Sequence, residues 1–399
     1  MDVREKQEEA MGFDFDRVIG RKGTNSLKYD FTKENGKPED VLPLWVADMD
    51  FPTAPAVLKR LKEIVSHGIF GYSEGKEEYF QAVSSWYWNH FQWKVERNWI
   101  VKTPGVVFGI AAAIRAFTSE GDSVLLQQPV YYPFKEAIEN NKRQLVNSPL
   151  KMMDGHYEMD FEDFEQKIVE NDVKLFLLCN PHNPGGRVWK EWELRKIGDI
   201  CVKHNIIVVS DEIHSDFVWE NNKHLVFANL SLEYARRTIT CTSPSKTFNL
   251  AGLQLSNIFI PDQKLRRAFR QQVTASGYSL SNIMGIAACQ AAYEGGEEWL
   301  VEVKKYIWNN YLFLKEYIEE NFPQISVIEP EGTYLVWLDF RKLGLTEEER
   351  EELVVKKGRL WLDSGAMFGK EGEGFERINI ACPRSVLEKA LKQLGEALK

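Results

Sequence analysis

Residues Thr240-Cys-Thr-Ser-Pro-Ser-Lys-Thr-Phe-Asn-Leu-Ala-Gly252 set one lysine, Lys246, among small and hydroxyl side chains just beyond a strand-like apolar stretch. A lysine so placed can anchor an aldehyde, although Ser-Lys before a modest apolar run also suits a surface lysine capping a loop. Two more segments tip the reading. Leu178-Cys-Asn-Pro-His-Asn-Pro-Gly-Gly186 and Val208-Val-Ser-Asp-Glu-Ile-His214 each put polar residues immediately after a buried-type strand. Open α/β sheets bind ligands at such strand ends. Three of them in one chain imply a shared crevice, with Asp211 ending the strand upstream of Lys246.

Working outward, Asp122–Gln127, Lys174–Cys179, Ile206–Ser210 and Thr238–Thr242 read as short buried strands, each apolar run being bounded by polar or turn residues. Parallel pairing needs crossovers between them. Glu191 to His204 supplies one, with Trp192, Leu194, Ile197, Ile200 and Cys201 spaced to form an apolar face, which makes a βαβ unit. Val106 to Thr118 is a second, buried-type helix opening directly after Thr103-Pro-Gly105. From about Ser281 the texture changes. Ile283–Tyr293 and Trp299–Asn321 read as long helices, followed by an alternating strand in Gly332–Asp339, an acidic helix opening at Thr346 with a Thr346/Glu349 capping box, and a strand in Phe375–Cys382. The expected fold class is α/β. Residues 49–285 form a large domain with a mostly parallel mixed sheet between helices, and 286–399 a smaller carboxyl-terminal α/β domain. Residues 1–48 form an amino-terminal segment packing on the small domain and the active-site entrance.

A chain of 399 residues, 44% hydrophobic and 27% charged, is long enough for two cores. Its net charge of -9, with acidic and basic residues interspersed, argues against nucleic acid or an anionic membrane as partner. The start, Met1-Asp-Val-Arg-Glu-Lys-Gln-Glu-Glu9, lacks a secretory pattern, and no run of eighteen apolar residues occurs, so a cytoplasmic protein is expected. Cys179, Cys201, Cys241, Cys289 and Cys382 are scattered and read as reduced core residues, with no metal site. Trp86, Trp88, Trp93 and Trp99 read as core and interdomain packing, and the acidic run 346–352 as a solvated helix face.

Pyridoxal phosphate chemistry needs a lysine to hold the aldehyde and an acid to keep the pyridine nitrogen protonated; Lys246 and Asp211 qualify. It also needs an anion cradle. Thr103-Pro-Gly-Val-Val107 meets that need, since a helix amino terminus with small residues presents unpaired N–H groups. An ordinary strand-to-helix turn would look the same.

With these motifs in order, the chain resembles fold-type I pyridoxal-phosphate enzymes of the class I/II aminotransferase superfamily over nearly its whole length. It resembles most the MalY/PatB-like carbon–sulfur lyases, through Leu44-Trp-Val-Ala-Asp-Met-Asp-Phe51, Asp211-Glu-Ile-His214 and Arg377-Ile-Asn-Ile-Ala-Cys-Pro-Arg384. The resemblance implies that Lys246 is the covalent attachment point of the cofactor and that Asp211 pairs with its ring nitrogen. Asn183 and His214 would serve the ring phenolic oxygen, and Tyr131 would cover the ring, with Tyr132 as alternative. Backbone groups at Val106 and Val107 and the Ser243 hydroxyl would hold the phosphate. Tyr72 would reach the phosphate of the neighbouring subunit, making a homodimer part of the site. Arg377 would grip the substrate carboxylate, with Arg384 competing for that role. Asp48 is either a pocket contact or a structural hydrogen-bond partner. Gln254 stands where many aminotransferases carry a phosphate-binding arginine, which puts efficient transamination in doubt.

The implied reaction is β-elimination from L-cystathionine or related cysteine S-conjugates, with Lys246 as both anchor and α-proton base; cysteine itself would yield sulfide. An aminotransferase using the same lysine and aspartate is the alternative, and a protein that mainly binds a regulatory partner is a third reading, disfavoured by the intact set Lys246, Asp211, Asn183 and Arg377.

Overall fold

The computed structural model describes residues 13–399, so the segment Met1–Glu9 read above lies outside the described residues. Seven strands, Ile100–Thr103 (β1), Ser123–Leu126 (β2), Gln144–Asn147 (β3), Leu175–Cys179 (β4), Ile207–Asp211 (β5), Thr238–Thr242 (β6) and Ser256–Phe259 (β7), form one sheet in the order β1-β7-β6-β5-β4-β2-β3. Only β7 runs against its neighbours; the pairs β2–β3, β2–β4, β4–β5 and β5–β6 are parallel. The apolar runs Leu175–Cys179 and Thr238–Thr242 are buried at every position, as a sheet covered on both faces requires. Register sets Asp211 opposite Cys179 on one side and Cys241 on the other, so β4, β5 and β6 end at one edge.

Two helices show how that edge is furnished. Helix α1, Val106–Phe117, is rich in Ala and carries Gly109 where it crosses β7; a Cβ there would lie 3.0 Å from the Ile258 Cδ1 atom. Close approach of helix to sheet thus fixes where its amino terminus points. Helix α2, Glu191–Lys203, buries Leu194, Ile197, Ile200 and Cys201 against the sheet. Trp192, expected on that face, is instead 61% exposed. It sits in the first turn, where its ring packs on Phe161 (centroids 5.7 Å apart) at the rim of the core. Trp88 also departs from expectation at 51% exposed, while Trp86 and Trp93 are buried. Trp86 stacks on Tyr293 at 4.9 Å.

After helices Ile283–Gly295 (α3) and Glu297–Asn321 (α4), a second sheet is built from Ser326–Ile328 (β8), Leu335–Asp339 (β9), Asp363–Ser364 (β10) and Phe375–Asn379 (β11), all antiparallel in the order β8-β9-β11-β10. The helix at 347–351 has the Thr346/Glu349 capping box, and continues as a π-helical turn over Glu352–Lys357. Its acidic run is not wholly solvated, because Glu347 contacts Arg350 and Ser364. The amino-terminal segment is laid on this second unit: Leu42 and Pro43 pair in parallel with Leu360 and Trp361, and the Asn379 side-chain amide donates to Val46 O and Asp48 O, both at 2.6 Å. That docking brings Ala47 over the edge of the first sheet. All five cysteines are buried and unpaired. Among the described residues no helix is long and apolar enough to cross a membrane.

Candidate active site

Lys246 lies in the single helical turn Pro244–Thr247, started by Ser243, whose Oγ accepts from Ser245 N at 3.1 Å. The turn is tied down from behind: Thr247 Oγ1 donates to Asp216 Oδ2 at 2.6 Å, and Asp216 Oδ1 accepts from Trp86 Nε1 at 3.1 Å. The lysine amine therefore has a fixed origin. Its Nζ donates to Ala47 O at 2.6 Å, and the Tyr334 hydroxyl donates to the same carbonyl at 3.0 Å. The side chain keeps some surface open, yet dense surrounding protein lowers its pKa to about 8, reinforced by Arg377 and opposed by Asp48 and Asp211.

Asp211 faces the same space from the end of β5. Burial raises its carboxyl to about 7, against the opposing influences of the Ile213 N–H that Oδ1 accepts (3.1 Å) and of the Lys246 charge. Among the described residues no cationic side chain is hydrogen-bonded to it. His214 is buried, its imidazole kept neutral first by burial and then by the charges of Lys246 and Arg377; its ring meets Tyr334 edge-on at 5.9 Å and its Nδ1 has no partner.

Asn183 joins two groups expected at the site. Its backbone O accepts from Tyr131 N at 3.0 Å, and its Oδ1 accepts from Arg377 Nη1 at 2.9 Å, leaving its amide nitrogen for another acceptor. Arg377 is 3% exposed, and its Nη2 donates to Trp45 O (2.9 Å) and to Asp363. Arg384 is not at the site: its guanidinium donates to Asn310 Oδ1 (2.9 Å) and Asn309 O (2.8 Å). Tyr131 and Tyr132 are adjacent half-buried rings, 5.5 Å apart, with Tyr132 also edge-on to Phe368.

At the amino end of α1, helical bonding begins with Gly109 N to Gly105 O (3.1 Å), so the amides of Val106, Val107 and Phe108 precede it and are available to an anion. Ser243 is less free than expected, since its hydroxyl lies 2.7 Å from Leu255 O and 2.7 Å from the Ser245 hydroxyl. Tyr72 is 98% exposed and outside this cluster. Asp48 is held by Arg21 at 2.6 Å, with Lys28 at 3.6 Å; Arg21 and Lys28 also pair with Asp50, each at 2.8 Å. It thus serves an ion-pair network and acts on Lys246 through its charge. Sequence reading passed over Tyr334 and Asp363, because neither belongs to a motif with the lysine or the arginine; Tyr334 reaches Ala47 from just before β9, and antiparallel pairing of β10 with β11 sets Asp363 opposite Arg377. A surface cavity of about 900 Å³ follows the basic helix Gln263–Ala275 and shares no residue with this cluster.

The sheet, with a lysine, a carboxyl and a helix amino terminus at one edge, defines a cofactor-binding transferase-like class, and the chain belongs to the aminotransferase class I and II family, whose pattern matches residues 39–394. Within it, the chain is 42% identical over 384 residues to the cystathionine beta-lyase PatB of Bacillus subtilis, covering 96% of this chain and 99% of that one. Among solved structures it is similar to cystalysin from Treponema denticola, which contains pyridoxal 5'-phosphate (39% identity, TM-score 0.94, 97% and 99% of the two chains covered). It is also similar to the pyridoxal-phosphate-bound C–S lyase of Staphylococcus hominis (34% identity, TM-score 0.91, 98% and 99% covered).

The residues present fit that cofactor. A buried carboxyl without a cationic partner suits a protonated ring nitrogen, the unpartnered Nδ1 of His214 and the spare amide of Asn183 are free for a ring oxygen, and the α1 amides suit a phosphate.

Proposed function

We propose that this chain is a pyridoxal-phosphate-dependent carbon–sulfur β-lyase that converts L-cystathionine and water to homocysteine, pyruvate and ammonia, and acts likewise on related cysteine S-conjugates. The observation that carries the proposal is Lys246 beside Asp211, with the lysine amine near neutrality, in a chain 42% identical to a cystathionine beta-lyase over nearly its full length. When bound, the cofactor supplies an electron sink for the substrate's α-carbon.

The chain's residues supply the rest. Lys246 would fix the cofactor, and its amine would serve as base for the α-proton; a pKa of about 8 leaves a useful fraction unprotonated at neutral pH. Asp211 would keep the ring nitrogen protonated, Asn183 and His214 would serve the ring oxygen, and Tyr131 would cover the ring. Val106 and Val107 amides would hold the phosphate, and Arg377 would receive the substrate carboxylate on the N–H donors that its protein partners leave free. Asp48 offsets the positive charge of Arg377 around Lys246. The division into 1–48, 49–285 and 286–399 belongs to the same reading, as does a cytoplasmic setting, supported by five unpaired cysteines.

The direct test is to incubate the cofactor-loaded protein with L-cystathionine and no keto acid, measuring homocysteine, pyruvate and ammonia together. Equal catalytic yields of all three are expected. Turnover only when a keto acid is supplied, with amino-group exchange, would move the assignment to an aminotransferase.

A homodimer completes the site in this reading. Tyr72 is 98% exposed beside Ile69 (67%) and Phe70 (61%), a surface suited to cover by a second copy. Tyr72→Phe is expected to weaken cofactor retention about tenfold, the scale of one charge-assisted hydrogen bond. Mixing Tyr72→Phe with Lys246→Ala subunits should restore one fully retaining site per hybrid dimer, because the intact tyrosine and intact lysine then meet across the interface. No recovery in the hybrids would refute action between subunits.

A further inference from the structure

We propose that Asp363 is the positioning residue that holds Arg377 in the orientation needed to receive the substrate carboxylate. The inference rests on the carboxylate-binding reading of Arg377.

Asp363 opens β10 and lies directly opposite Arg377 of β11 in the antiparallel register. Residues so placed share one face of the sheet. Both are almost wholly buried, Asp363 at 2% and Arg377 at 3% exposure, and the carboxylate takes a hydrogen bond from Arg377 Nη2. No other hydrogen bond to the Asp363 side chain occurs among the described residues. A carboxylate taken so far out of water is costly unless paired, and its one partner is the arginine of the site.

Three separate elements grip the guanidinium. Asp363 and Trp45 O take the two Nη2 hydrogens, and Asn183 Oδ1 takes one from Nη1. That leaves the second Nη1 hydrogen and Nε–H, and Nε is buried without a partner. An unpaired donor on a guanidinium that is otherwise tied is prepared to donate to an anion. Of the three restraints, Asp363 alone is charged. Asn183 and Trp45 O belong to the loop after β4 and to the docked amino-terminal segment, whereas Asp363 comes from the strand paired with Arg377 itself, so it fixes the arginine relative to its own sheet. The neighbouring rung is also charged: Glu376 accepts from Arg350 at 2.8 Å, and Ser364, opposite Glu376, contacts Glu347. Lys37 acts on Asp363 from the amino-terminal segment by its charge alone.

The test compares wild type, Asp363→Ala and Asp363→Asn in the cofactor-loaded protein, with L-alanine and L-alaninamide as competing ligands that differ only in the carboxylate. Asp363→Ala is expected to raise the inhibition constant of alanine, and the KM for L-cystathionine, about tenfold, with kcat within about threefold, as loss of orientation without loss of chemistry requires. Alaninamide binding should be unchanged. Asp363→Asn, which keeps an acceptor for Nη2, should recover most of the loss. Equal losses on both ligands, or a fall in kcat with KM unchanged, would overturn the inference in favour of a purely structural ion pair. Arg377→Ala run alongside must lose the preference for alanine; if it does not, the inference falls with the role given to Arg377. Should wild type release no homocysteine, the lyase reading fails, while the alanine and alaninamide constants still decide the role of Asp363.

Discussion

Lys246→Ala is expected to lower homocysteine release from L-cystathionine by about 10⁴-fold, the upper end of what one general base contributes, because the same side chain also anchors the cofactor. The anchor and the base have one geometric origin: a turn pinned by Ser243 and Asp216, with the amine resting on Ala47 O at 2.6 Å. Removing it leaves Tyr334 donating to that carbonyl, so the local fold should survive. Borohydride reduction followed by peptide mass analysis separates the two losses. Wild type should carry the reduced cofactor on the peptide containing Lys246, and the variant should carry none. Added methylamine should restore part of the turnover without restoring the label. Full turnover in a well-folded Lys246→Ala protein, or labelling at another lysine, would refute the assignment.

Asp211→Ala is expected to reduce turnover by about 10² to 10³-fold while leaving Lys246 able to take up the cofactor, since in the proposed function the carboxyl serves the ring nitrogen and not the attachment. The pH dependence of the cofactor-free protein tests the same residue independently. Burial raises the folded carboxyl to about 7 from an ordinary 3.8, so between those values the folded state binds more protons than the unfolded chain. Ionising Asp211 therefore destabilises the fold as pH rises from about 4 to about 7, by on the order of 4 kcal/mol at most. Lys246 has the opposite sign in a different window: its amine is depressed to about 8 from 10.5, and stability is regained as pH rises between those values. In thermal unfolding, the melting temperature of wild type relative to Asp211→Asn should fall between pH 5 and 7. In the loaded protein the fall should be much smaller, because the carboxylate then has a cationic partner. A difference that does not vary with pH would sink the account of Asp211 as an unpartnered buried acid.

Much of this site is local in the chain, which is why it could be read. Lys246, Asp211 and Asn183 each follow within a few residues of an apolar strand, and parallel strands with crossover helices deliver such ends to one edge. Helix boundaries were displaced by small amounts, as at Glu297 in place of Trp299, where a first turn carrying Glu297 and Glu298 has no apolar periodicity to mark it. Trp192 misled because spacing alone assigns it to the apolar face, whereas its place in the first turn lets the ring rest on Phe161 outside the core. The Ser243 hydroxyl, which the family resemblance implies at the phosphate, instead meets the carbonyl of Leu255, in the approach to β7, the one reversed strand.

The sequence by itself determined the α/β class, four strands of the large sheet with one crossover helix, the lysine and carboxyl at strand ends and the family, because these depend on periodicity and on spacings of a few residues. Tertiary structure decided the surroundings of those groups. It set Arg377 against Asn183 and Arg384 against Asn310, committed Asp48 to Arg21 and Lys28, placed Ala47 and Tyr334 at the lysine amine, and set Asp363 behind the arginine. Those pairings join positions up to hundreds of residues apart, and the burial that moves Lys246 and Asp211 toward neutrality exists only once the docked amino-terminal segment and both sheets close around them.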